Sequence, residues 1–277
     1  MTASTAMYAG YTVLAVILIF PFYIMLSRSF MAPEQYGAQV VPLFPTKFTL
    51  ESWKTVIIQN KYFRSLLNTL IIVGFNIVAV PLASSFVAYG FSKCEFYGKK
   101  FWFALMLGTL LLPGIVTQVP LYVLFSKMNM LNTYYPLTIP NLLGGGAINV
   151  FLIRQFMKTV PKELDEAAVI DGAGALRRYA QLTLPLSTAV LIFIMVGVFV
   201  GNWGDYYGPL VYMSVVDAKK YTLAYAIFRS YNADNAYLSD EGVMMAAGVF
   251  MSVIPLIVFF IFQRRIVEGV MITGIKG

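Results

Sequence analysis

Six stretches of this chain carry no Asp, Glu, Lys or Arg: residues 1–27, 65–92, 101–126, 128–153, 179–204 and 242–263. They are 27, 28, 26, 26, 26 and 22 residues long, and the next longest, 35–46, has only 12. Two length classes with nothing between them are the signature of a chain solvated largely by lipid. A helix needs about 20 apolar residues to cross about 30 Å of hydrocarbon, so each long stretch is able to span. Only 12% of the 277 residues are charged, against about 25% in soluble domains, which excludes an ordinary soluble globular protein, a disordered chain and a coiled coil.

The sequence predicts an all-α, polytopic membrane protein forming one domain over 1–277, with spans at about 9–27, 66–91, 101–125, 137–154, 186–208 and 243–262. A barrel would show segments of about ten residues with alternating polarity; these runs are apolar on every side. The first run has no basic residue before Arg28 and no clean small-residue cleavage site, so it reads as a retained span rather than a signal peptide. A short surface helix is expected from Leu50 to Gln59.

Six spans put both termini on one side, together with 92–100 and 155–185. With Arg154 counted, that side holds eleven of the 20 basic residues over the shorter length of chain, which favours termini inside. Lipid headgroups and cytoplasmic loops account for the net charge of +7 more simply than nucleic acid does. The chain has no histidine and a single cysteine, Cys94. An intrachain disulfide is therefore impossible, and the commonest catalytic base and metal ligand is missing. No catalytic, metal or cofactor site is expected. Gly269 to Lys276 is not a phosphate loop, because no Ser or Thr follows the lysine.

Several spans contain proline (Pro21, Pro81, Pro113, Pro120, Pro140, Pro255), and the fourth contains Gly144-Gly145-Gly146. They fit either tight packing or a bundle that bends around a cavity. Gln118, Asn76 and Asn141 are expected to bond between helices. Asn202, Trp203, Asp205 and Tyr206, near the end of the fifth span, are translocation-path candidates, since an acid at membrane depth is a functional hypothesis. An interfacial aromatic belt is the other reading of the same residues.

The polar connection 155–185 is the most informative segment. Pro161 suits a first helical turn, and Glu163, Asp165 and Glu166 favour the positive end of a helix. Gly172 and Gly174 interrupt, and a second short helix is expected over about 175–182. The first helix is rich in small residues, and only Leu164, Val169 and Ile170 are large and apolar. That composition suits a groove on a partner protein better than the surface of a bilayer.

Glu166-Ala167-Ala168, Asp171-Gly172-Ala173 and Leu184-Pro185 resemble the signature of ABC importer permeases: Glu-Ala-Ala, a glycine one turn later, and a closing Leu-Pro. Leu66-Leu67-Asn68-Thr69, Leu131-Asn132-Thr133-Tyr134, Asn202-Trp203-Gly204-Asp205-Tyr206 and the ending from Gly269 to Gly277 are similar to the carbohydrate-uptake branch, of the maltose type. The resemblance implies a type I ABC importer transmembrane domain in a bacterial or archaeal plasma (inner) membrane, multi-pass with cytoplasmic termini. It implies a second homologous permease, two cytosolic ATPase subunits that bind ATP and Mg, and an extracytoplasmic sugar-binding protein. Glu166, Ala167, Ala168, Asp171, Gly172 and Ala173 would form the ATPase-coupling helix, with Gly172 permitting its turn. The alternatives are a secondary transporter or channel, which should show paired intramembrane charges or an internal repeat, and a membrane-embedded enzyme, which would need clustered acids or metal ligands. Neither pattern is present in the sequence.

Overall fold

Backbone that meets hydrocarbon has to satisfy its own N–H and C=O groups, which leaves helix or closed barrel. The computed structural model describes residues 3–36, 42–214, 217–232 and 241–274, and these take the helical route. Among them there is no strand, only one antiparallel bridge between Met31 and Phe48. The last three residues of the chain's ending lie outside the described residues.

Helix α1 covers Ala3–Arg28. The short α2, Glu51–Lys54, is prolonged by a π turn over Thr55–Gln59, which fills the expected surface helix. Helix α3 is Tyr62–Lys93, α4 Lys99–Gly108 and α5 Gly114–Lys127. Then come α6, Tyr135–Leu142, α7, Ala147–Met157, and α8, Lys162–Ile170. The four-residue α9, Ala175–Arg178, runs through a π turn at Tyr179–Thr183 into α10, Leu184–Leu186. Helix α11 is Thr188–Trp203, α12 Tyr207–Tyr212, α13 Leu223–Tyr231 and α14 Glu241–Gly274.

Four helical stretches are long and apolar enough to cross a membrane, or six if each of two bent pairs counts as one span. Two of the expected spans are bent. The span expected at 101–125 breaks into α4 and α5, which meet at 100°. Pro113 lacks an N–H and disfavours helical backbone in the residue before it, and Leu112 is extended (φ −80°, ψ 118°). The span expected at 186–208 stops at Trp203 and meets the preceding helical stretch at 75°. Helix α14 continues past Gln263 through the basic pair. Helix α3 has 32 residues; at about 1.5 Å per residue it is longer than a bilayer core is thick.

The contacts divide the chain into two units, Met1–Leu67 with Thr222–Val258, and Asn68–Tyr221 with Phe259–Gly277. In the first, Arg28 pairs with Glu241 at 3.9 Å, and Phe30 stacks between Phe48 and Trp53. Gln35 ties down the 46–47 backbone by accepting from Thr46 and donating to the Lys47 carbonyl. In the second, Val80, Ala88 and Tyr89 of α3 pack with Val150, Ile153 and Met157 of α7 and with Leu191 and Ile194 of α11. The spacings of three and four place the α7 set on one helix face and the α11 pair on another. Ser84, Ser85 and Ala88 are fully buried on α3. Small residues of this kind let helices approach closely where lipid removes any hydrophobic drive to associate. By contrast, Tyr11 to Ile19 of α1 and Ile115 to Leu124 of α5 are largely exposed, a surface stable only against lipid or a partner subunit.

Candidate functional site

Two clusters of the sequence-predicted residues lie at opposite ends of α11, whose 16 residues span about 24 Å at 1.5 Å per residue. The structure therefore does not bring the two sets together.

At the N-terminal end, α8 starts one residue later than expected, with Pro161 as its cap residue. Glu163 and Asp165 sit in the first turns, where negative charge is favoured. The helix ends at Gly172. The Gly172 N–H donates to the Val169 carbonyl (3.0 Å) and the Ala173 N–H to the Ala168 carbonyl (2.9 Å), which is a Schellman cap. Its left-handed residue is Gly172, at φ +73°. The expected interruption is thus a built turn. Glu166, Ala167, Asp171 and Gly172 are exposed, and Ala168 and Ala173 are half-buried. Glu166 forms no ion pair among the described residues. Ile170, at 85% exposure, crowns this tip.

Behind the tip, the loop is fastened to α3. Asp165 is the one buried residue of α8, and its Oδ2 accepts from Lys93 Nζ at 2.5 Å. Tyr89 donates its hydroxyl to the Ala175 carbonyl (3.1 Å), and Ser85 shares a hydrogen bond with the Tyr179 hydroxyl (2.8 Å). Sequence reasoning missed these anchors. The available signal was the four-residue spacing of Ser85, Tyr89 and Lys93, which aligns them on one face. Nearby, Arg154 donates its Nε to the Phe91 carbonyl (3.1 Å) and lies 3.9 Å over the Phe103 ring, so this charge at a span end is held rather than lost in lipid.

At the C-terminal end of α11, Asn76 donates its amide to Asn202 Oδ1 (2.6 Å) and to the Leu137 carbonyl (2.9 Å). Asn202 donates its own amide to the Val198 carbonyl (2.8 Å). This knot joins α3, α6 and α11, the interhelical role expected of Asn76. Gln118 also bonds between helices, accepting from the Tyr207 hydroxyl (2.9 Å). Among the described residues Asn141 does not: its amide turns back to the Leu137 carbonyl of its own helix at 3.4 Å, the local i−4 bond open to an Asn side chain. Trp203 is buried and stacked on Phe199. Asp205 is half-buried, and its Oδ1 accepts from the Gly208 N–H (2.9 Å), so it organises the turn into α12. Tyr206 is exposed. Further along, burial pushes the Tyr212 phenol up, and the neighbouring Tyr207 adds to the shift.

Two of the motifs singled out in the sequence meet nearby. Asn68 donates to the Lys219 and Tyr221 carbonyls (2.8 and 2.9 Å), and the Tyr134 hydroxyl donates to the Lys220 carbonyl (3.1 Å). Asn132 donates its N–H to the Tyr212 carbonyl (2.8 Å).

With this geometry the comparisons with known proteins agree. The family model of binding-protein-dependent transport system inner membrane components matches residues 55–271. The chain is 30% identical over 263 residues to the melibiose/raffinose/stachyose import permease protein MelC of Bacillus subtilis (strain 168), covering 93% of this chain and 91% of that one. It is 29% identical over 289 residues to the maltodextrin transport system permease protein MdxG of the same organism, covering all of both. The fold matches a chain of a bacterial ABC transporter involved in the import of the acidic polysaccharide alginate, with a TM-score of 0.81, 20% identity and coverage of 96% and 98%.

Proposed function

Because this chain belongs to the family of binding-protein-dependent transport system inner membrane components, we propose that it is one of two permease subunits of an ATP-driven importer of a sugar or oligosaccharide. An extracytoplasmic binding protein delivers the cargo. Two cytosolic ATPase subunits bind ATP and Mg and hydrolyse the nucleotide; this chain supplies the path and the coupling surface. The carbohydrate class is supported by relatives that are sugar permeases over nearly their whole length.

The observation that carries the coupling assignment is the exposed tip of the 160–175 loop. Glu166, Ala167, Ala168, Asp171, Gly172 and Ala173 form the end of a nine-residue helix and its turn, and Glu166 forms no ion pair among the described residues. A small-residue helix face with a protruding acid suits a cleft that offers a basic residue. The loop is then cytosolic, and with six spans both termini are cytosolic too. Asn202, Trp203, Asp205 and Tyr206 line or shape the path at the far end of α11. Rigid-body rocking of the helices driven by ATPase closure alternates access to that path.

The test is Glu166→Lys. ATP-driven uptake is expected to fall to background while membrane insertion stays intact. Unchanged uptake would sink the coupling assignment.

A further inference from the structure

The coupling loop is joined to the membrane helices in two ways. The covalent route runs through α9 and α10 into α11, and it passes a π turn and a 75° bend. The second route is the row of side chains on α3. Lys93, Tyr89 and Ser85 hold Asp165, the Ala175 carbonyl and Tyr179, so both limbs of the loop are gripped on either side of the Gly172 turn. The rings of Phe86 and Tyr89 also pack on Tyr179, at 5.5 and 5.3 Å between centroids. Three grips spaced four residues apart cover about 12 Å of helix at 1.5 Å per residue.

The Lys93–Asp165 pair is the charged one of the three. Its side chains are only 11% and 13% exposed, so water screens it little. Lys93 is the last residue of α3 and Asp165 lies in the first turns of α8. Each charge is thus favoured by its own helix end as well as by its partner. Asp165 Oδ1 is buried without a hydrogen-bond partner among the described residues, so loss of the lysine would leave a shielded carboxylate uncompensated. The opposite stretch of α3 carries Asn76, the centre of the knot with Asn202 and Leu137.

We infer that Lys93 and Asp165 are positioning residues of the coupling step. They lock α8 to α3, so that movement of the docked loop is delivered through α3 to the Asn76–Asn202 knot, rather than through the bent covalent path into α11. Neither residue touches cargo or nucleotide. The inference rests on the importer reading above.

The experiment uses the whole complex, purified with its ATPase and reconstituted, in a Cys94→Ser background. Spin labels are placed at Val78 and Val200, both exposed, and distances are measured without nucleotide and with ATP plus vanadate. The variants are Asp165→Asn, the apolar pair Lys93→Met with Asp165→Leu, which removes both charges, and the conservative Lys93→Arg. With the ATPase still bound, the first two should lower the ratio of ATP-state to resting-state populations, read from the distance distributions, by about fivefold or more, the scale of a typical coupling energy. Lys93→Arg should stay near the parent. An unchanged ratio in both charge-removing variants overturns the inference. Loss of the ATPase from both also overturns it, because the pair would then build the docking face instead of carrying its motion. A parent complex with no bound ATPase, or no nucleotide-dependent change, fails at a different point: it refutes the importer reading itself.

Discussion

Gly145→Ala separates two costs that glycine avoids. Gly145 sits between α6 and α7 at φ +67°, and a side chain there costs about 1–2 kcal/mol in backbone strain alone. A Cβ would also overlap Ser84 Oγ and lie 2.5 Å from the Val80 carbonyl oxygen and 3.1 Å from the Ser84 nitrogen. The last two are backbone atoms of α3 and cannot swing aside, so overpacking adds about 1–3 kcal/mol. Gly172→Ala is the matched control: its φ is +73° and nothing lies within 4 Å of a built Cβ, leaving the strain by itself. Reversible detergent unfolding of the purified chain should therefore place Gly145→Ala about 1–3 kcal/mol below Gly172→Ala. Adding Ser84→Gly should recover part of the difference and leave the carbonyl clash. Equal destabilisation by the two alanines, or no recovery with Ser84→Gly, would refute a steric clash between Gly145 and α3.

Two further substitutions probe the two ends of α11. Gly172→Val should abolish ATP-driven uptake while sparing insertion, because a β-branched residue resists the left-handed turn that ends α8; Gly172→Asn should retain uptake, and equal loss in both would dismiss the turn as the cause. Asp205→Asn keeps an acceptor for the Gly208 N–H but removes the charge, whereas Asp205→Ala removes both and should cost about 1 kcal/mol of stability. If Asp205 lines the path, Asp205→Asn slows uptake at unchanged stability; an unaltered rate assigns the residue to the turn alone.

What the sequence made legible was whatever depends on local pattern. The charge-free runs announced the helices, because lipid tolerates no unpaired backbone. Pro161, the early acids and Gly172 announced α8 and its stop, because caps are local chemistry. The 100° angle at Pro113 was not legible: the apolar run continues across it, and a proline marks a break without giving its direction. Nor was the continuation of α14 past Gln263, since Arg264 and Arg265 are good helix formers and charge ends a span without ending a helix. The Lys93–Asp165 and Asn76–Asn202 pairs were hidden for a different reason. They join residues far apart in the chain, and only the packing of α3 against its neighbours selects those partners. Lys93 read from sequence as one basic residue in a short connection, and its burial against α8 gives it a different meaning.

The central claim is that this chain works as the permease of an ATP-driven importer, through the tip around Glu166. Mild-detergent purification of the tagged chain from its own host, with mass spectrometry of what accompanies it, tests that claim most directly. The account predicts a cytosolic ATPase and a second six-span permease, both retained by the parent chain, with the ATPase lost from Glu166→Lys. Recovery of the chain alone or as a homo-oligomer, under conditions that preserve other membrane complexes, would contradict it and favour a secondary transporter.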